Sequence, residues 1–88
     1  MVSGTFKITN KSGVDMRNAQ AFVCMTDKYS SAITIKFGDK AINGKSIISL
    51  MAVGLKCGSE ITVECSGADE KEMLLEIKEL IESGFGEN

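Results

Sequence analysis

The sequence predicts an α+β fold: an open-faced sandwich of one four-stranded antiparallel sheet with three helices on one face, in the order β-α-β-β-α-β-α. Three observations lead there. Several short stretches alternate apolar and polar residues with period two, as half-buried strands do. Three others repeat apolar residues at helical spacing behind a good capping residue. One covered sheet face buries all of these stripes together.

The elements follow in order. Thr5-Phe6-Lys7-Ile8-Thr9 alternates, so it reads as a strand with Phe6 and Ile8 inward. Ser12-Gly13 breaks that pattern. Asp15 then caps a helix over about Met16 to Lys28, its carboxylate within reach of the backbone N–H of Arg17 or Asn18. Ala19, Phe22, Val23 and Thr26 share one helical face. Ala32–Phe37 alternates again, and Gly38-Asp39 suits a two-residue hairpin turn with glycine first. The return strand is Lys40–Asn43. Ser46 caps a short helix from Ile47 to about Val53. Gly54 and Gly58 punctuate the next loop. Glu60–Cys65 is the last strand, with Ile61, Val63 and Cys65 on one side. Asp69 caps the final helix, with Glu72 three residues on as its capping-box partner. Met73, Leu74, Ile77, Leu80 and Ile81 form the apolar stripe of that helix, and Gly84 ends it.

Length and composition bound the function. Residues 1–88 make a single domain. Such a chain buries roughly 60% of its unfolded surface, enough for one modest core. No apolar run approaches the roughly 18 residues of a membrane span. Met1-Val2-Ser3-Gly4 leads directly into a strand, so no signal peptide is expected. Cys24, Cys57 and Cys65 show no metal-ligand spacing, and the chain has no histidine to complete a site. They read as free thiols of a cytoplasmic protein, with no metal and no cofactor.

Charge is unevenly placed. Residues 1–58 hold eight Lys/Arg and three Asp/Glu, a net +5, while residues 59–88 hold two Lys and nine Asp/Glu, a net −7. A basic front suits a protein partner with an acidic surface, although the same faces would also serve simply to keep the domain soluble. The basic charge is too sparse and too poor in aromatics for nucleic acid.

The segments Ser12–Val23, Asn43-Gly44-Lys45-Ser46-Ile47-Ile48-Ser49-Leu50-Met51 and Gly54–Val63, in this element order, resemble the phosphocarrier protein HPr family of the bacterial phosphoenolpyruvate-dependent sugar phosphotransferase system. The resemblance covers nearly the whole chain, and the Asn43–Met51 block is its most specific part. It implies the open-faced fold, a role in sugar transport and catabolite repression, and no enzyme activity of its own. In the family, a Gly-(Leu/Ile)-His-Ala-Arg-Pro turn places a phosphoryl-accepting histidine at the first helix, and the arginine helps to hold the phosphoryl oxygens. Here the matching stretch is Gly13-Val14-Asp15-Met16-Arg17-Asn18. Gly13 and Arg17 match, Asp15 stands at the histidine position and Asn18 at the proline position. Histidine phosphotransfer is thereby excluded.

Two functional readings follow from this resemblance. In the first, Asp15 is a structural cap, and the protein is a regulatory or interaction protein controlled through phosphorylation of Ser46, the family's site for a serine kinase. In the second, Asp15 itself accepts a phosphoryl group, as carboxylate nucleophiles do. Ile47, Ile48 and Met51, with basic neighbours Arg17, Lys45 and Lys56, form the expected docking face. The implied partners are proteins of the phosphotransferase system or a catabolite-control regulator, with no nucleic acid and no membrane insertion.

Overall fold

The computed structural model describes residues 1–87. Strands β1 (Val2–Lys7), β2 (Ala32–Phe37), β3 (Lys40–Asn43) and β4 (Glu60–Ser66) form one antiparallel sheet in the order β1-β4-β2-β3. Helices α1 (Met16–Thr26), α2 (Ile47–Val53) and α3 (Glu70–Glu82) cover one face. A 3-10 turn, Gly84–Gly86, follows α3.

Period-two alternation sorts the sheet into two faces. Ile33 and Ile35 of β2 and Ile61, Val63 and Cys65 of β4 point to the helices and are buried. Register aligns them: Ile33 opposite Cys65, Ile35 opposite Val63, and Ile61 opposite Phe6. Ala19 and Phe22 of α1, Leu50 of α2, and Met73, Ile77 and Ile81 of α3 fill the space above. The open face carries polar pairs, a Thr5–Thr62 hydrogen bond at 3.2 Å and a Lys36–Glu64 ion pair at 3.0 Å. Burial in apolar surroundings pushes the Cys65 thiol up to about 11, as expected of an inert core cysteine.

Three expectations need correction. The first strand begins at Val2, not Thr5, because β4 runs on to Ser66 and offers Val2 a partner in Cys65. It ends at Lys7; the buried Ile8 lies past the strand and instead exchanges backbone hydrogen bonds with Ser59 and Gly58 at 2.8 and 2.6 Å. Helix α1 ends at Thr26, two residues early, because Lys28 and Tyr29 donate to carbonyls only three residues back and tighten the last turn.

The third correction concerns Asp69. It stands at the start of α3 but makes no side-chain cap, and the Asp69–Glu72 capping box does not form. Its carboxylate reaches instead across to the loop before β2. There it accepts from the Ser30 and Ser31 backbone N–H groups, each at 2.9 Å, and from the Ser31 hydroxyl. Gly67 permits this approach: a Cβ on it would lie 2.5 Å from the Ser31 hydroxyl. The Ser31 hydroxyl and the two N–H groups hold the Asp69 carboxyl down to about 2. Glu70 takes over near the turn, accepting from the Gly67 N–H at 3.1 Å.

Candidate functional site

The start of α1 is built by the loop before it. Gly13 has φ +62°, a conformation that costs other residues about 1–2 kcal/mol. It also packs against the loop after α2: a Cβ there would meet the Leu55 carbonyl oxygen at 2.6 Å. Val14 donates to that same carbonyl at 3.0 Å, so the loop is pinned. Asp15 then caps α1, as expected, accepting from the Asn18 N–H at 2.9 Å. Arg17 is exposed at the first turn.

Beside this cap lies a cluster that local sequence patterns do not signal. Asn10 and Asn18 are buried, and each donates from Nδ2 to the Gly13 carbonyl at 2.8 Å. Both also donate to Glu87 Oε2, Asn18 at 2.8 Å and Asn10 at 3.2 Å. The Ser12 N–H approaches Glu87 Oε1 at 3.4 Å. These donors, Asn18 first, hold the Glu87 carboxyl below the usual glutamate range. The helix start therefore carries two carboxylates, Asp15 and Glu87.

The second group of expected site residues lies on and before α2. Ser46 caps α2 through its hydroxyl oxygen, which accepts from the Ser49 N–H at 3.2 Å. Lys45 does not lie free beside it: its ammonium donates to the Tyr29 carbonyl at 2.7 Å, past the end of α1. The apolar trio divides. Ile48 is 82% exposed and Met51 38% exposed, whereas Ile47 is half-buried against the core. Between them Leu50, only 1% exposed, is the residue α2 sends inward. Met16, 60% exposed on α1, is a further outward apolar residue that the sequence reading did not single out.

The described residues contain no cluster of metal-ligating side chains and no helix long and apolar enough to cross a membrane. The family model described as PTS HPr component phosphorylation site matches residues 2–83. The phosphocarrier protein HPr of Neisseria meningitidis serogroup A is 33% identical over 99% of this chain and 98% of its own.

This chain belongs to the HPr family.

The solved structure of HPr-C-His from Thermoanaerobacter tengcongensis has the same fold, with a TM-score of 0.96 and 38% identity over 100% of this chain and 99% of that one. Crh, a catabolite repression protein of Bacillus subtilis, superimposes with a TM-score of 0.76 at 28% identity, over 96% and 97% of the two chains. HPr-family proteins are phosphocarriers of the phosphotransferase system rather than enzymes, and they interact with its other components.

Proposed function

We propose that this HPr-family protein is a regulatory or interaction protein of carbon metabolism, which docks through α2 and the start of α1 and accepts no phosphoryl group at α1. The observation that carries this reading is the absence of histidine from the 88 residues; we read Asp15 as standing where the family's acceptor would be. The Asp15 carboxylate is committed to the Asn18 N–H, and Asn18 supplies the backbone donor that a proline there would lack. A phosphoryl group arriving at this helix start would meet the charge of Asp15 and of Glu87. The likeness to Crh, a catabolite repression protein, supports a regulatory role.

Control falls to Ser46. Its hydroxyl sits at the first turn of α2, where a phosphate of about −2 charge is favoured by free N–H groups and the helix dipole. The exposed Ile48 and Met51 supply apolar docking surface, and Arg17 and Lys56 are exposed cations available to the same partner. The partners are other proteins of the phosphotransferase system or a catabolite-control regulator, and a serine kinase would act on Ser46.

Intact mass after two incubations tests the reading. With ATP and an HPr serine kinase, the protein is expected to gain one phosphoryl group, and Ser46→Ala none. With phosphoenolpyruvate and enzyme I, no gain is expected. A gain from enzyme I that is lost in Asp15→Asn would replace this reading with that of a carrier using Asp15.

A further inference from the structure

We infer that Asn10, Asn18 and the Ser12 N–H form a carboxylate-binding pocket beside the start of α1, that the chain fills it with its own Glu87, and that an external carboxylate takes the same place when Glu87 leaves. The inference deepens the reading above, because it names what occupies the helix start.

The pocket is built by the loop before α1 and the first turn of α1, not by the tail. The Gly13 carbonyl accepts one N–H from each asparagine amide at 2.8 Å. That shared acceptor fixes both amides, and their second hydrogens converge on Glu87 Oε2. Asn10 is fully buried and Asn18 only 2% exposed. The bonds to the Gly13 carbonyl do not involve Glu87, and they hold both amides in the orientation that meets it.

The unpartnered atom of the cluster has the same explanation. Among the described residues, Asn10 Oδ1 is buried without a hydrogen-bond partner. Turning the amide over would satisfy nothing: it would set that oxygen against the Gly13 carbonyl and the Glu87 carboxylate. Among the described residues, one acceptor stays unpaired and the groups that meet Glu87 are all donors. Such a pocket selects a ligand that only accepts hydrogen bonds. Asp15, bonded to the backbone of the same Asn18, disfavours a doubly charged phosphate more than a singly charged carboxylate.

The tail is placed to be exchangeable. Gly84 and Phe85 both have positive φ, 67° and 55°, which turns the chain sharply after α3. Phe85 packs partly against the core, and Glu87 beyond it reaches the pocket. The hydrogen bond from Ser12 to Glu87 lies exposed, and those from the asparagines are only part-buried.

The test uses the full chain carrying Glu87→Ala, titrated with acetate and followed through the side-chain amide resonances of Asn10 and Asn18. Acetate is expected to shift both saturably in Glu87→Ala, and chloride at equal ionic strength is not. Inorganic phosphate should bind more weakly than acetate. Wild type should respond at least tenfold more weakly, and Glu87→Ala combined with Asn18→Ala not at all. An equal response in wild type, or an acetate shift matched by chloride, overturns the proposal. Glu87→Gln keeps the tail's length and covers loss of fold in the alanine variant. Its Asn18 amide resonance must move from the wild-type position and move further with acetate; an unmoved resonance also overturns the proposal. Unmoved amides leave the regulatory reading intact, whereas phosphoryl gain from enzyme I removes that reading and leaves the pocket.

Discussion

Replacing Ile48 with aspartate separates docking surface from core. Full burial of an isoleucine side chain is worth about 1.5–3 kcal/mol. At 82% exposure, Ile48 realises no more than about 0.5 kcal/mol of that in folding. An aspartate in the first turn of α2 recovers about 0.3–1 kcal/mol from the helix dipole. The two effects offset, so Ile48→Asp is expected to leave Tm within about 4 °C of wild type, taking about 4–8 °C per kcal/mol for a domain of this size. Leu50→Ala, two residues on and 1% exposed, should cost about 2–5 kcal/mol and lower Tm by at least about 8 °C. Thermal melts by circular dichroism measure both. Titration against enzyme I gives the other half: Ile48→Asp should weaken binding by at least about tenfold, the loss expected of an interface anchor. A Tm loss in Ile48→Asp equal to that of Leu50→Ala, or binding that does not change, would refute the assignment of Ile48 to a docking surface.

Further outcomes follow from the same geometry. Asp15→Ala removes the α1 cap and should cost about 1 kcal/mol in urea unfolding, while Asp15→Ser, which keeps a capping oxygen, should cost less. Gly13→Ala should destabilise by more than the roughly 1–2 kcal/mol of its backbone conformation, because the added Cβ also meets the Leu55 and Lys56 backbone; a smaller loss in chemical denaturation would mean that this loop is not pinned. The Asp69 carboxyl lies at about 2 in the folded chain against an ordinary value of 3.8, so its contribution is complete above about pH 4 and lost as pH falls toward 2. Tm measured against pH should therefore fall less steeply across that window in Asp69→Asn than in wild type.

Most of the architecture was legible because local rules and tertiary packing agree in it. The alternation of Ala32–Phe37, the Gly38-Asp39 turn and the capping oxygens of Asp15 and Ser46 each carry their signal within a few residues, and each stands where expected. Asp69 was misread because a carboxylate before a helix is equally a cap or a clamp, and the choice depends on Ser31, 38 positions away. Strand ends depended on how far β4 extends, which Val2 and Ser3 do not encode. Within α2, Ile47, Ile48, Leu50 and Met51 are all apolar, and seven residues are too few for periodicity to say which one turns inward. The helix-start cluster was half legible. The Asp15–Asn18 cap follows from spacing, but Asn10 and Glu87 stand 77 positions apart and meet only because Gly84 and Phe85 turn the tail back.

The central claim is that the helix start of this HPr-family protein no longer accepts a phosphoryl group. Intact mass after incubation with phosphoenolpyruvate and enzyme I, beside a histidine-bearing HPr as positive control, tests it most directly. The account predicts one phosphoryl group on the control and none on this protein. A phosphoryl group on this protein that disappears in Asp15→Asn would contradict it.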